Sequence, residues 1–156
     1  MDRHQEAVMQ LLTANGETFV AHHYDVAAGW QSPAFVALRP TKRQLYVVEV
    51  SASGFPLGLV NKLNERVAKW YAPLLEQLQG LGVTDAEWSI NTLVFVRSDQ
   101  IAWLQERVQD LAGVHVLSLE QASANWNWGD AVWSGDYDFA SGEVPQRGSG
   151  KAALTH

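Results

Sequence analysis

Apolar residues in the first third of the chain follow two periods, one typical of a helix and one typical of strands. Residues 3–14 carry apolar side chains at helical spacing, which predicts a helix there. Three runs enriched in β-branched and aromatic residues follow and predict strands over 17–26, 35–39 and 44–51. Because short links join these strands, we expect them to form an antiparallel meander.

The rest of the chain alternates amphipathic helices with short apolar strands. A wide apolar face between Leu59 and Leu78 predicts a helix, which Pro73 should kink or restart because proline lacks a backbone donor. Strands are predicted over 91–97 and 114–117, each followed by a further helix. Strands that return through helices pair in parallel. The order α-β-β-β-α-β-α-β-α therefore predicts an α/β fold, a mixed sheet flanked by helices.

Chain length and local composition predict one domain with an extension. A chain of 156 residues fits a single core, and we assign residues 1–122 to one α/β domain. Residues 123–156 are Trp-rich at first, then polar and Gly-rich. We expect Trp126, Trp128 and Trp133 to pack on the edge of the domain or to bind a protein partner or a second copy of the chain, with sugar stacking as the weaker alternative.

Composition excludes several kinds of chemistry. The chain has no cysteine, which rules out disulfides, thiolate zinc sites and a cysteine nucleophile. It has no apolar run of about 18 residues and no basic-then-apolar start, so we expect neither a membrane span nor a secretory signal, and we expect a cytoplasmic location. The formal net charge of −6 disfavours nucleic acid as a partner, because phosphate contacts require an excess of Lys and Arg.

Glu49 is the residue that most needs an explanation, because it is a carboxylate inside an otherwise apolar predicted strand. A buried charge is unfavourable unless it is paired, bound to a metal or protonated. Strand alternation places Glu49 and Ser51 on one face. Glu49 is either a structural acid, bonded to Ser51 or paired with Lys62 or Arg66, or a group retained for binding.

The order α-β-β-β-α-β over residues 3–117, together with Glu49, resembles the core of the PD-(D/E)XK nuclease superfamily, which has the restriction-endonuclease-like fold. In that family an acid follows a proline at the second core strand, and an acid-x-lysine triplet lies on the third. The resemblance implies Mg²⁺ bound by the acids and a lysine that positions the attacking water. Pro33-Ala34 and Glu49-Val50-Ser51 occupy the matching positions.

Two of the matching positions lack the chemistry that the family requires. Ala34 cannot bind a metal ion, and Ser51 carries no positive charge. Mg²⁺ needs several converging oxygen ligands. Asp25 and Glu6 are the candidates for replacement carboxylates, and Lys62 is the candidate for a replacement cation. We interpret the centre as degenerate, with no resident metal or other cofactor unless these replacements restore a Mg²⁺ site.

Two further groups are candidates for binding. His23 and Asp25 share a strand face, but two ligands are too few for a secure zinc site. Lys62, Arg66 and Lys69 recur at helical spacing, and such a stripe is usually a solvated face. A third, weaker possibility is a small-ligand cleft beside Glu49 and the histidines.

The function that we expect from the sequence is a non-catalytic protein-interaction module on a degenerate nuclease-like scaffold, acting as a homodimer or with another protein. The alternative is a Mg²⁺-dependent nuclease with migrated catalytic residues Glu49, Asp25, Glu6 and Lys62. The two hypotheses differ in what surrounds the Glu49 carboxylate. A protein-only ion pair favours the module, and a second acid in an open cleft favours the enzyme.

Overall fold

The computed structural model describes residues 1–22, 24–26 and 32–128, with residues 124–128 described by their backbone. The helices are α1 (Arg3–Thr13), α2 (Leu57–Asn64), α3 (Ala72–Gly80), α4 (Ile101–Arg107) and α5 (Leu119–Trp128). The strands are β1 (Phe19–His22), β2 (Phe35–Arg39), β3 (Gln44–Ser51), β4 (Ser89–Val96) and β5 (Val114–Ser118). This order confirms the predicted α/β fold.

The five strands form one mixed sheet in the order β1-β2-β3-β4-β5. The first three strands pair antiparallel, as short connections favour. β3 then pairs parallel with β4, and β4 pairs parallel with β5, because a helical connection returns the chain to the same edge each time. The central strand β3 therefore joins an antiparallel half of the sheet to a parallel half.

Helices cover both faces of the sheet, and alternation along β3 divides its side chains between two apolar cores. Tyr46 and Val48 pack on the face covered by α1 and α5. Leu45 and Val47 pack on the opposite face, covered by α2, α3 and α4. Continuous burial along the middle of β3 follows from this two-sided covering, which is typical of strands in α/β proteins.

The helix predicted between Leu59 and Leu78 is divided, as Pro73 predicts. α2 ends at Asn64, a π-helical turn spans Val67–Tyr71, and α3 begins at Ala72. Proline has no N–H and its ring collides with the carbonyl four residues earlier in an α-helix. The wider turn before Pro73 avoids that collision, and it turns Trp70 fully into the core.

The ends of several elements differ from the sequence prediction. β1 covers only Phe19–His22 of the strand expected over 17–26. α5 begins after Ser118, whose Oγ accepts the Gln121 N–H, and it continues across residue 122 to Trp128. The first residues of the predicted C-terminal extension therefore share a helix with the domain. Within the described part of the chain, no helix is long and apolar enough to cross a membrane.

Candidate functional site

Glu49 lies near the carboxyl end of β3, with its side chain on the face covered by α2. The β2–β3 register pairs Phe35 with Val48. One step further along the same antiparallel ladder places Ala34 beside Glu49. The two positions that resemble the acid-bearing positions of the nuclease core are therefore neighbours, although only one of them carries an acid.

Both carboxylate oxygens of Glu49 have protein partners. The Ala34 N–H donates to Oε1 at 2.7 Å, and the Lys62 ammonium donates to Oε2 at 3.4 Å. The Glu49 side chain is 10% exposed and that of Lys62 is 22% exposed. Glu49 thus forms a largely buried ion pair with α2, together with a backbone hydrogen bond from the neighbouring strand.

Burial raises the pKa of Glu49 above its ordinary value, because a desolvated carboxylate is less stable than a protonated one. The Lys62 charge and the Ala34 N–H act in the opposite direction, yet desolvation is the larger effect. The raised pKa marks Glu49 as a perturbed acid, but such a shift occurs in structural ion pairs as well as in functional sites.

Ser51 and Lys62 have different roles from each other. The Ser51 Oγ accepts the Ser53 N–H at 3.3 Å and so caps the turn that follows β3. The cation near Glu49 is Lys62, one of the two bases that the sequence offers as partners. Its ammonium faces the carboxylate directly, so it neutralises the acid and leaves no gap for a metal ion between them.

The candidate replacement carboxylates, Glu6 and Asp25, are both exposed. Glu6 is exposed on α1, which packs on the opposite face of the sheet. Asp25 is exposed, and its Oδ1 accepts a hydrogen bond from the Ser32 hydroxyl at 2.9 Å. Within the described residues, no group of three or more His, Asp or Glu side chains could hold a metal ion. The two groups that bind the Glu49 oxygens, an N–H and an ammonium, offer no oxygen ligand to Mg²⁺.

The solvated basic stripe predicted at Lys62, Arg66 and Lys69 is wrong for Arg66, which is only 4% exposed. Helical spacing does not persist across these residues, because α2 ends at Asn64 and a π-turn follows. The Arg66 guanidinium donates to the carbonyls of Leu63, Asp110 and Ala112. It thus caps α2 and ties that helix to the connection between α4 and β5.

Several predicted site residues cannot be placed together. His23 and Trp133 lie outside the described residues, and Trp126 and Trp128 are described only as backbone positions in α5. An open depression is lined by Tyr24, Pro73, Glu76, Gln77, Gly80 and Leu81. Its lining includes neither Glu49 nor a histidine, so it is not the cleft expected beside them.

The contact that sequence reasoning missed is the Ala34 N–H, because a backbone donor leaves no mark in residue types. The available signal was the Pro33-Ala34 position itself, since a residue opposite an acid on the next strand can offer its amide. A second missed group is Gln100, which is 4% exposed and accepts the Phe55 N–H through Oε1 at 2.8 Å. Gln100 connects the loop after β3 to the start of α4.

No protein-family model matches the chain, and no curated protein matches it.

Proposed function

We propose that the protein is a non-catalytic protein-interaction module built on a degenerate nuclease-like scaffold. The observation that carries this proposal is the closed pairing of Glu49, whose two oxygens are bound by the Ala34 N–H and the Lys62 ammonium. A metal-holding acid needs oxygens directed at an open position with other ligands around it. Glu49 instead serves to attach α2 to the sheet.

The charge of the chain supports a protein partner over nucleic acid. The net charge is −6, and Arg66, one of the few clustered basic residues of α2 and the following turn, is buried against backbone carbonyls. Contacts to phosphates need exposed cations. A cytoplasmic location and a contact through the Trp-rich residues 123–156 belong to the same proposal.

A direct experiment separates the module from the rival Mg²⁺-dependent nuclease. Purified protein is titrated with MgCl₂ and MnCl₂ by calorimetry and is incubated with single- and double-stranded DNA and RNA. We expect no saturable binding at millimolar metal and no cleavage, both for the wild type and for Glu49→Gln. Metal-dependent cleavage that Glu49→Gln abolishes while the fold persists would contradict the proposal.

The interaction itself needs a positive measurement. Cross-linked capture of a partner, followed by reconstitution of the complex from two purified components, gives a dissociation constant. We expect Glu49→Gln to leave that constant within about threefold of the wild type, because Glu49 faces α2 in the interior. A complex that depends strongly on the Glu49 charge would assign binding to the buried centre.

A further inference from the structure

The open depression beside α3 has the size and the mixed lining of a ligand site. Its volume is about 650 Å³, within the range of about 300–1,000 Å³ that is typical of ligand pockets. The lining combines apolar, aromatic and polar groups from Tyr24, Pro73, Glu76, Gln77, Gly80 and Leu81. We call this cavity the Glu76 depression, after the charged residue in its lining.

One face of α3 contributes most of the lining. Its residues recur at intervals of three and four, as neighbours on one helix face do, and they are Pro73, Glu76, Gln77 and Gly80. Gly80 is the last residue of α3, and a Cβ added there would meet no atom within 4 Å. The absence of a side chain at Gly80 therefore leaves this end of the depression open.

A hydrogen bond holds the Tyr24 side of the depression against α3. The Gln77 Nε2 donates to the Val26 carbonyl at 2.7 Å, which ties residues 24–26 to the helix. Val26 is 2% exposed and belongs to the same apolar core as Leu74 of α3. The two sides of the depression are thus positioned before a ligand arrives, which lowers the entropy lost on binding.

The charge of Glu76 is not neutralised by another described residue. Glu76 is exposed, and the ion pairs of the described residues do not include it. The positions three and four residues away on the helix are uncharged, and residues 70–96 contain no Lys, Arg or His. Lys69, the nearest cation along the chain, lies outside the lining. Positions 27–31, which follow Val26, carry no charge.

Two further features of the depression favour a cation. The C-terminus of a helix carries a partial negative charge, and α3 ends in the lining without a basic residue in its last turn. The Tyr24 ring lies in the same lining, and aromatic rings attract cations through their faces. An acid without a partner, a negative helix end and an aromatic ring therefore meet in one cavity.

We propose that the Glu76 depression binds an arginine side chain of the protein partner. The guanidinium pairs with the Glu76 carboxylate and stacks on the Tyr24 ring, while the methylene stem contacts Leu81. The proposal rests on the proposed function, since it names the chemistry by which the interaction module recognises its partner. Arginine fits better than lysine, because its guanidinium is planar, stacks on aromatic rings and is more weakly hydrated than an ammonium. The net charge of −6 attracts a basic segment.

The probe is the pentapeptide ALRLA with blocked ends, and its control carries citrulline, the neutral isostere of arginine, at the central position. Each is titrated into ¹⁵N-labelled full-length protein, and the amide chemical shifts are followed. We expect saturable shifts at Gly80 and Leu81, with a dissociation constant of about 1 mM for the arginine peptide. The constant should be at least about fivefold higher for the citrulline peptide.

Two variants test the site itself. Glu76→Gln removes the charge, and Gly80→Leu places a side chain on the face that lines the depression, so each should raise the dissociation constant at least about fivefold. Both positions are exposed, and leucine forms helices better than glycine, so neither variant should melt below the wild type. The matched controls are Glu65→Gln, at an exposed acid, and Gly58→Leu, at an open position of α2. Both should bind as the wild type does.

The same variant connects the site to the partner. Glu76→Gln should raise the dissociation constant of the reconstituted complex at least about fivefold. Absence of saturable shifts, equal binding of the citrulline peptide, or unchanged binding by Glu76→Gln overturns the inference. A partner complex that persists in that case shows that the arginine site alone has failed, whereas metal-dependent cleavage that Glu49→Gln abolishes would refute the proposed function.

Discussion

Removing the lysine that neutralises Glu49 gives the most informative test of the buried centre. Lys62→Met keeps the length of the side chain and deletes the ammonium that lies 3.4 Å from Oε2. Glu49 then retains the Ala34 N–H as its partner, in a position that is 10% exposed. Breaking a fully buried ion pair by removing one partner lowers the free energy of unfolding by about 3–5 kcal/mol.

Protonation of Glu49 sets a limit on this loss. A carboxyl of ordinary pKa about 4.3 can be protonated at pH 7 for about 3.7 kcal/mol, and at pH 5 for about 1 kcal/mol. Because Lys62 is 22% exposed and water reaches the pair, we expect Lys62→Met to lower the free energy of unfolding by about 2–3 kcal/mol at pH 7 and by about 1 kcal/mol or less at pH 5.

The sign of the pH dependence follows from the raised pKa of Glu49. The folded state binds the Glu49 proton more tightly than the unfolded state does. The contribution of this tighter binding to the free energy of unfolding is therefore fully present below the pKa of Glu49 in the unfolded state. It is lost as the pH rises through the folded pKa. Lys62→Met raises the folded pKa further and steepens this loss, whereas the double variant Glu49→Gln/Lys62→Met removes it.

Urea denaturation at pH 5 and pH 7 measures the free energy of unfolding on which these predictions depend. It is applied to the wild type, both single variants and the double variant. The double variant should recover most of the stability that Lys62→Met loses at pH 7. An equal loss at both pH values, or no recovery in the double variant, would refute the account of Glu49 as a desolvated acid neutralised by Lys62.

Two other predictions concern the framework around this centre. Arg66→Met deletes the guanidinium that donates to three carbonyls, and urea denaturation should show a free energy of unfolding lower by about 2–4 kcal/mol. The control Lys42→Met, at an exposed position, should change it by less than about 0.5 kcal/mol. Equal effects of the two substitutions would contradict the capping role of Arg66. Gly113→Ala should lower the free energy of unfolding by about 1–3 kcal/mol, because φ is +71° and the added Cβ would lie 2.9 Å from Asn91 Oδ1. Gly58→Ala in α2 should raise it by about 0.5–1 kcal/mol, because the added Cβ would meet no atom within 4 Å. Thermal melts of the pair check both signs, and a stabilising Gly113→Ala would show that the loop relaxes freely.

The fold was predictable because its signals are local. The apolar, β-branched runs of β2 and β3, the short Pro40–Lys42 link and the proline at 73 each determine structure within a few residues. The ion pair of Glu49 with Lys62 was among the predicted alternatives, since pairing with a cation is one way to stabilise a buried acid.

The prediction that Arg66 is solvated is wrong for a long-range reason. Arg66 is assigned to solvent by helical spacing, but its partners Asp110 and Ala112 lie more than forty residues away in the chain. No local pattern carries that information, because the carbonyls that accept from the guanidinium lie in the connection between α4 and β5. The strained Phe55 is equally hidden, because a phenylalanine in a loop before a proline does not indicate a positive φ.

The contact between α1 and α5 has a consequence for synthesis on the ribosome. The first and last described helices pack together over the same face of the sheet. A nascent chain can complete the opposite layer once β5 has emerged, but Phe95 and Leu117 stay without their final cover until α5 follows. We therefore expect release of α5 from the exit tunnel, and not sheet assembly, to mark the moment at which the described part of the polypeptide becomes protease-resistant.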